Sequence, residues 1–324
     1  MIRRVARTAP PESFFVVSAV FHYLGPAFAV LLFGRVGVLG VAWLRIASAA
    51  AVFALWRRPW RAYAALDRAG RLLIVEWGAV LAVMNACFYL AIDRLPLGTV
   101  AAIEFVPVIA LAAVGTRSRR NLAALALAVA GVYLLTDVRL AGEPLGFAFA
   151  AANAVLFAAY IVLGHRVAQR GAAGGIDGLG AAMLVATVVI TPIGGWAAAP
   201  AVLDPAALAA GIGVGIASSV IPYVTDQLAM ARLRRSTYAL LVSLLPATAT
   251  VVGVVVLRQV PQVIEVAGVA LVVAGVGVHR ESPGEGRTEG PGPAVSAVKH
   301  KDQVPVFRHE TDGPGPPVSV STSS

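Results

Sequence analysis

Two ionisable residues stand where an apolar chain should have none: Arg45 in the run AWLRIASA and Glu104 in AAIEFVPVIA. Each lies near the middle of a stretch long enough to cross a bilayer, where a charge costs ~2.5–3.5 kcal/mol on the insertion scale. A side chain kept at that cost is expected to face water, a solute or an opposite charge. In one reading both line a hydrated cavity, Arg45 meeting an anionic group and Glu104 offering an exchangeable proton. In the other they form a structural ion pair.

Other polar residues fall inside apolar runs too. Asp226 follows Pro222 by four residues and Tyr223 by three. His22 and Tyr23 sit in the first run, where a His can relay protons or bond a backbone carbonyl. Asn85 and Tyr89 are four apart and share a helix face. They suit polar contacts to a zwitterion, although Asn is also common glue between membrane helices. The expected substrate-binding set is His22, Tyr23, Arg45, Asn85, Tyr89, Glu104, Tyr223 and Asp226, with Glu104 and Asp226 as proton carriers. Glu76 and Glu265 lie near span ends and read as structural. Pro107, Pro192, Pro222 and Pro246 each free a helix carbonyl, and Gly211 and Gly215 form a small face suited to close packing.

Enzyme chemistry is not supported. The chain has no H-E-x-x-H, no G-x-S-x-G and no P-loop. Its five histidines are scattered and Cys87 is its single cysteine, so no metal and no cofactor is expected. Without a nucleotide-binding motif, any transport must draw on a gradient.

The elements that position these residues are ten apolar stretches, placed at 14–33, 36–56, 72–92, 97–115, 121–136, 145–164, 179–199, 206–230, 237–257 and 262–279. Most approach the ~20 residues a helix needs to cross the hydrocarbon. Basic residues sort into every second gap: 21 fall on one side and 4 on the other, with Arg45 inside a span. Lys and Arg are retained on the cytoplasmic side, so both termini are expected there. The composition agrees, at 58% hydrophobic and 13% charged, against about a quarter charged in soluble domains. The net charge of +9 thus reflects topology and contact with anionic lipid headgroups, not a nucleic-acid surface. The absence of period-2 alternation excludes a transmembrane β-barrel. Arg3, Arg4 and Arg7 followed by an apolar run and Ala27-Phe28-Ala29 imitate a secretory leader. The run continues to Phe33, so an uncleaved first helix is expected. Beyond Arg280 a Pro- and Gly-rich segment, 281–324, is expected to be a disordered cytoplasmic tail.

A weak internal repeat accompanies this pattern. AIDRLPLGT (91–99) aligns on AMARLRRST (229–237), one residue of slippage brings Pro107 onto Pro246, and AVAGV (128–132) resembles VVAGV (272–276). Five helices per half is an odd number, so the second half must enter the membrane from the opposite side. The expected fold is an all-α polytopic membrane protein with ten transmembrane helices as two inverted five-helix repeats, 1–138 and 139–280. Carriers built this way hold their substrate between the halves near midplane.

The stretch MNACFYLAIDRLPLGTVAAIEFVPV (84–108), with Asn85, Tyr89, Pro96, Leu97, Gly98, Glu104 and Phe105, resembles the EamA-type permeases of the drug/metabolite transporter superfamily. LRIA around Arg45, and Pro222-Tyr223 followed by Asp226, extend the likeness to roughly residues 14–279. Within that superfamily the chain is most similar to the threonine/homoserine exporter group. The resemblance implies ten helices in two inverted repeats with cytoplasmic ends, and export of amino acids or similar metabolites by proton antiport; a bacterial inner-membrane carrier, monomer or homodimer, is expected. Two positions depart from it. The group commonly has Glu before the helix-9 proline, where this chain has Leu245, and its Leu-Gly-Glu-type turn is here Leu257-Arg258-Gln259. Efflux of drugs or lipophilic cations stands as the rival within transport. A membrane scaffold or sensor working through the tail stands as the rival outside it.

Overall fold

Helices follow from a chain of Ala, Val, Leu and Gly that must satisfy its backbone polar groups internally wherever water is absent. The computed structural model describes residues 10–115, 119–139, 143–169, 176–230 and 244–278. Among these there is no strand. The helices are α1 (Pro11–Val36), α2 (Val38–Arg57), α3 (Pro59–Ala64), α4 (Arg68–Ile92), α5 (Leu97–Gly115), α6 (Arg119–Arg139) and α7 (Pro144–Gln169). Next, α8 (Ile176–Ile190) runs through a π-helical turn, Thr191–Gly195, into α9 (Trp196–Leu203). Likewise α10 (Pro205–Gly215) runs through a π turn, Ile216–Val220, into α11 (Ile221–Met230). The last two are α12 (Leu245–Leu257) and α13 (Val263–Val278).

Among the described residues six stretches are both long and apolar enough to cross a membrane: Glu12–Val36, Val38–Arg57, Arg68–Ile92, Pro144–Val167, Ile176–Ala201 and Pro205–Thr225. Leu97–Pro107, Leu245–Leu257 and Val263–Gly275 are apolar but shorter. Helix α6 carries Arg119, Arg120, Asn121, Asp137 and Arg139 at its ends, which dilutes its apolar run. Residues 237–243 of the expected ninth span, and the 281–324 segment, lie outside the described residues. Apolar side chains also cover the exterior, with Leu31, Val129, Val155, Val188, Trp196 and Val255 all exposed. A lipid-facing surface has this character, whereas water would penalise it.

Around one large core, α4 packs on α7 and α8, α2 on α8 and α10, and α1 on α11 and α12. A smaller cluster of Ala102, Phe105, Ala124, Ala128, Val269 and Val272 joins α5, α6 and α13. In the α6–α13 pair, backbone meets backbone. A Cβ added at Gly131 would lie 2.6 Å from Gly268 O, and one at Gly275 would lie 2.7 Å from Ala124 O. The two helices therefore run antiparallel, each using the glycine of its A/V-V-A-G-V run.

The turn that departs from the family pattern has a structural role. Arg258 adopts φ 55°, a left-handed position that glycine occupies more easily, and Gln259 N–H closes the end of α12 on Gly253 O at 3.1 Å. Gln259 Oε1 then accepts from Leu97 N–H at 3.1 Å, capping the first turn of α5 from across the molecule. The helix carrying Glu104 is thus tied at its start to the α12–α13 turn.

Gly131→Leu or Gly275→Leu should force α6 and α13 apart and cost ~1–3 kcal/mol, the usual range for overpacking. Nothing lies within 4 Å of a Cβ added at Gly34, so Gly34→Ala should leave stability unchanged or slightly raised. Thermal unfolding in detergent checks this: a melting point in either leucine variant equal to the parent's would contradict the packing.

Candidate functional site

Seven helices and one π turn send side chains to a single interior cavity, Met183 of α8 among them. His22 and Pro26 come from α1, Arg45 from α2, Asn85 and Phe88 from α4, and Glu104 from α5. Asn153, Phe157 and Tyr160 come from α7, Ser219 from the second π turn and Tyr223 from α11. The cavity leaves about 50 Å³ to the centres of water-sized spheres. That holds a few waters but falls below the roughly 300 Å³ of an open ligand pocket. The conformation is contracted around its polar groups.

Arg45 is held by the π turn. Its Nε donates to Ser219 Oγ at 3.2 Å and its Nη2 to Ser218 O at 3.4 Å, while its guanidinium carbon lies 5.6 Å from the centre of the Tyr89 ring. The local sequence explains the arrangement. Pro222 has no N–H to direct at the carbonyl four residues back, which is that of Ser218, and a π turn widens the helix at that point. Two glycines let the turn press in: a Cβ at Gly215 would lie 2.7 Å from Arg45 O, and one at Gly25 would lie 2.8 Å from Ser218 N. The Gly211–Gly215 face therefore seats α10 against α2 beside the arginine.

Glu104 is 7% exposed, one turn before Pro107. Its Oε1 accepts from Asn153 Nδ2 at 3.1 Å. No salt bridge joins it to Arg45, so the ion-pair reading of these two residues does not hold in this conformation. They face the same space from separate walls. Aromatic rings close that space: Trp77 stacks on Tyr160 at 5.5 Å and Phe157 on Tyr160 at 6.4 Å, and the Tyr160 and Tyr223 hydroxyls are 3.2 Å apart.

The expected site residues divide accordingly. His22, Arg45, Asn85, Glu104 and Tyr223 line the cavity together. Tyr89, 0% exposed, lies behind it under Arg45, and Tyr23 is buried in the core with its ring edge-on to His22 at 5.2 Å. Both stand one layer back because each neighbours a cavity residue on its helix and points elsewhere. Asn85 donates to Leu81 O at 2.8 Å, one turn back on its own helix. Asp226 has its backbone in α11, but its side chain lies outside the described residues. Sequence reasoning passed over Asn153, Tyr160, Ser218 and Ser219. Asn153, in AAANAVL, carried the same signal as Asn85: an amide inside an apolar run. Tyr160, seven residues on, lies on the same helix face. The serines gave no signal, since Ser is common in membrane helices. Among the described residues Asn153 Oδ1, on the cavity wall, is buried without a hydrogen-bond partner, which a bound water or solute would remedy.

The EamA-like transporter family model matches residues 144–279. Threonine/homoserine exporter RhtA of Escherichia coli (strain K12) and of Salmonella typhimurium (strain LT2) are each 30% identical to the chain over 256 residues, 77% of this chain and 84% of theirs. No solved structure matches.

In a Cys87→Ser background, Ser219→Cys should react with a small water-borne thiol reagent, whereas Ala49→Cys, at a fully buried core position, should not. Equal inertness of the two cysteines under all conditions would contradict a hydrated cavity.

Proposed function

The chain belongs to the EamA-like transporter family, and on that premise we propose that it exports small amphiphilic metabolites, amino acids foremost, by exchange for protons. It is a multi-pass inner-membrane transporter of small molecules and not an enzyme. The observation that carries the finer reading is Glu104: a carboxyl group buried among helices, held by an amide and not by a cation, in a cavity it shares with Arg45. Such a carboxyl can hold either a proton or a cationic group but not both, which is what an exchanger requires.

The membrane architecture proposed is ten spans in two inverted repeats, with both termini cytoplasmic. The packing supports it. Under the sequence alignment of the halves, α6 corresponds to α13, and these two meet through reciprocal glycine contacts while running antiparallel. A two-fold axis lying in the membrane plane produces such a self-pairing, and an axis along the membrane normal would make the partners parallel. Other pairs follow the same exchange: α4 with α7 answers α1 with α11, and α5 with α7 answers α1 with α12. The cavity is lined from both halves. The short α12, at 13 residues, covers about 20 Å at 1.5 Å per residue.

In the cycle, a proton from outside displaces the cargo from Glu104, and deprotonation toward the cytoplasm readies the site for the next solute. Arg45, with Ser219, takes the anionic end. Asp226 remains the second candidate proton carrier, from its sequence position alone. A lipophilic-cation exporter would require Arg45 neutralised by a carboxylate, and its described partners are instead a hydroxyl and a carbonyl.

Glu104→Gln in proteoliposomes should abolish proton-driven export of labelled amino acid and weaken amino acid-for-amino acid exchange by roughly tenfold or more, since the group that holds the ammonium is neutralised. Full proton-driven export by the variant would end the coupling role.

A further inference from the structure

Asn153 is 0% exposed on α7 and lines the cavity beside Glu104. A carboxylate oxygen can only accept a hydrogen bond, so the amide must turn its N–H to Glu104, which it does at 3.1 Å. That orientation sends Asn153 Oδ1 the other way, and Oδ1 has no partner. A buried carbonyl left so is costly, and no described residue supplies a donor to relieve it. The donor has to arrive through the cavity.

Its chemistry can be read from the wall it meets. Asn153 Oδ1 and the Glu104 carboxylate are two acceptors, one charged, and Phe157 and Tyr160 line the same cavity with aromatic rings. Two acceptors and aromatic surface favour a compact cation with several N–H groups, that is, a primary ammonium. The opposing wall has the reverse polarity, with the Arg45 guanidinium fixed against Ser219. We propose that Asn153 is the amine-recognition residue of this cavity. It orients a zwitterionic cargo with its ammonium toward α5 and α7 and its carboxylate toward α2 and the second π turn. This rests on the export reading above. A 2-hydroxy acid of the same shape reaches the carboxylate end equally well. At the other end its hydroxyl has a single proton to donate, and no positive charge answers Glu104.

The test uses the full chain in proteoliposomes and the best-transported member of a panel of natural L-amino acids, homoserine included. Its labelled uptake by exchange is competed with the unlabelled amino acid and with the matching 2-hydroxy acid. The parent should prefer the amino acid by roughly tenfold or more, as expected when a charge-assisted hydrogen bond is lost. Asn153→Leu should cut that preference by roughly tenfold, leaving what the Glu104 charge alone provides, while the hydroxy acid competes as before, which also shows that the variant is folded. Asn153→Asp shares one proton with Glu104, as adjacent carboxyls do, so a donor still meets Glu104 and an acceptor still meets the cavity; it should retain the preference, an outcome that a merely space-filling role would not give. If Asn153→Leu fails to fold, Asn153→Ala gives the same readout. An undiminished amine preference in the apolar variant, or its loss in Asn153→Asp, overturns the assignment. So does a parent that exports amino acids yet competes equally with hydroxy acids, and in that case the export reading survives. A parent that moves no amino acid sinks both.

Discussion

The structure is organised around the desolvation of two charges that are not joined to each other. Removing a carboxylate and a guanidinium from water costs several kcal/mol each after relaxation, and direct pairing is the common remedy. Here each is met by neutral dipoles: Glu104 by the Asn153 amide, Arg45 by Ser219, the Ser218 carbonyl and the face of Tyr89. Neutral partners stabilise a charge without cancelling it. A site so arranged could respond to the proposed proton and cargo, whereas a closed ion pair would be satisfied and inert.

Much of the surrounding architecture serves that arrangement. Pro222 and the π turn bring a carbonyl and a hydroxyl to Arg45, and glycines at 25 and 215 let the neighbouring backbones close in behind. Glu104 precedes Pro107 on a helix whose first N–H is capped by Gln259 from the α12–α13 turn. Any motion that separates α5 from α12 must break that cap. The site and the junction between the two proposed repeats are therefore mechanically linked, as alternating access demands.

The sequence pattern was most informative where one physical rule acts alone. A charge in lipid is so unfavourable that Arg45 and Glu104 could be picked out by position, and both line the cavity. The described parts of the ten expected stretches are helical, and six of them are long and apolar enough to cross a membrane. Legibility failed where two rules compete on one helix face. Asn85 and Tyr89 share a face, yet only Asn85 reaches the cavity, because Tyr89 is drawn under the guanidinium. Leu257-Arg258-Gln259 read as the loss of an acidic group, but the turn accommodates Arg258 in a left-handed conformation and uses Gln259 as a helix cap.

By itself the chain determined that it lies in a membrane as helices and that a handful of polar groups must be sheltered there, since hydropathy and the positive-inside bias act on each segment independently of the others. Only the tertiary structure decided which of those groups meet. Asn153 and Glu104 are 49 residues apart, and Arg45 and Ser219 are 174 apart. Pairings over such distances depend on how glycine faces and proline breaks set the approach of one helix to another, a quantity that no single segment encodes.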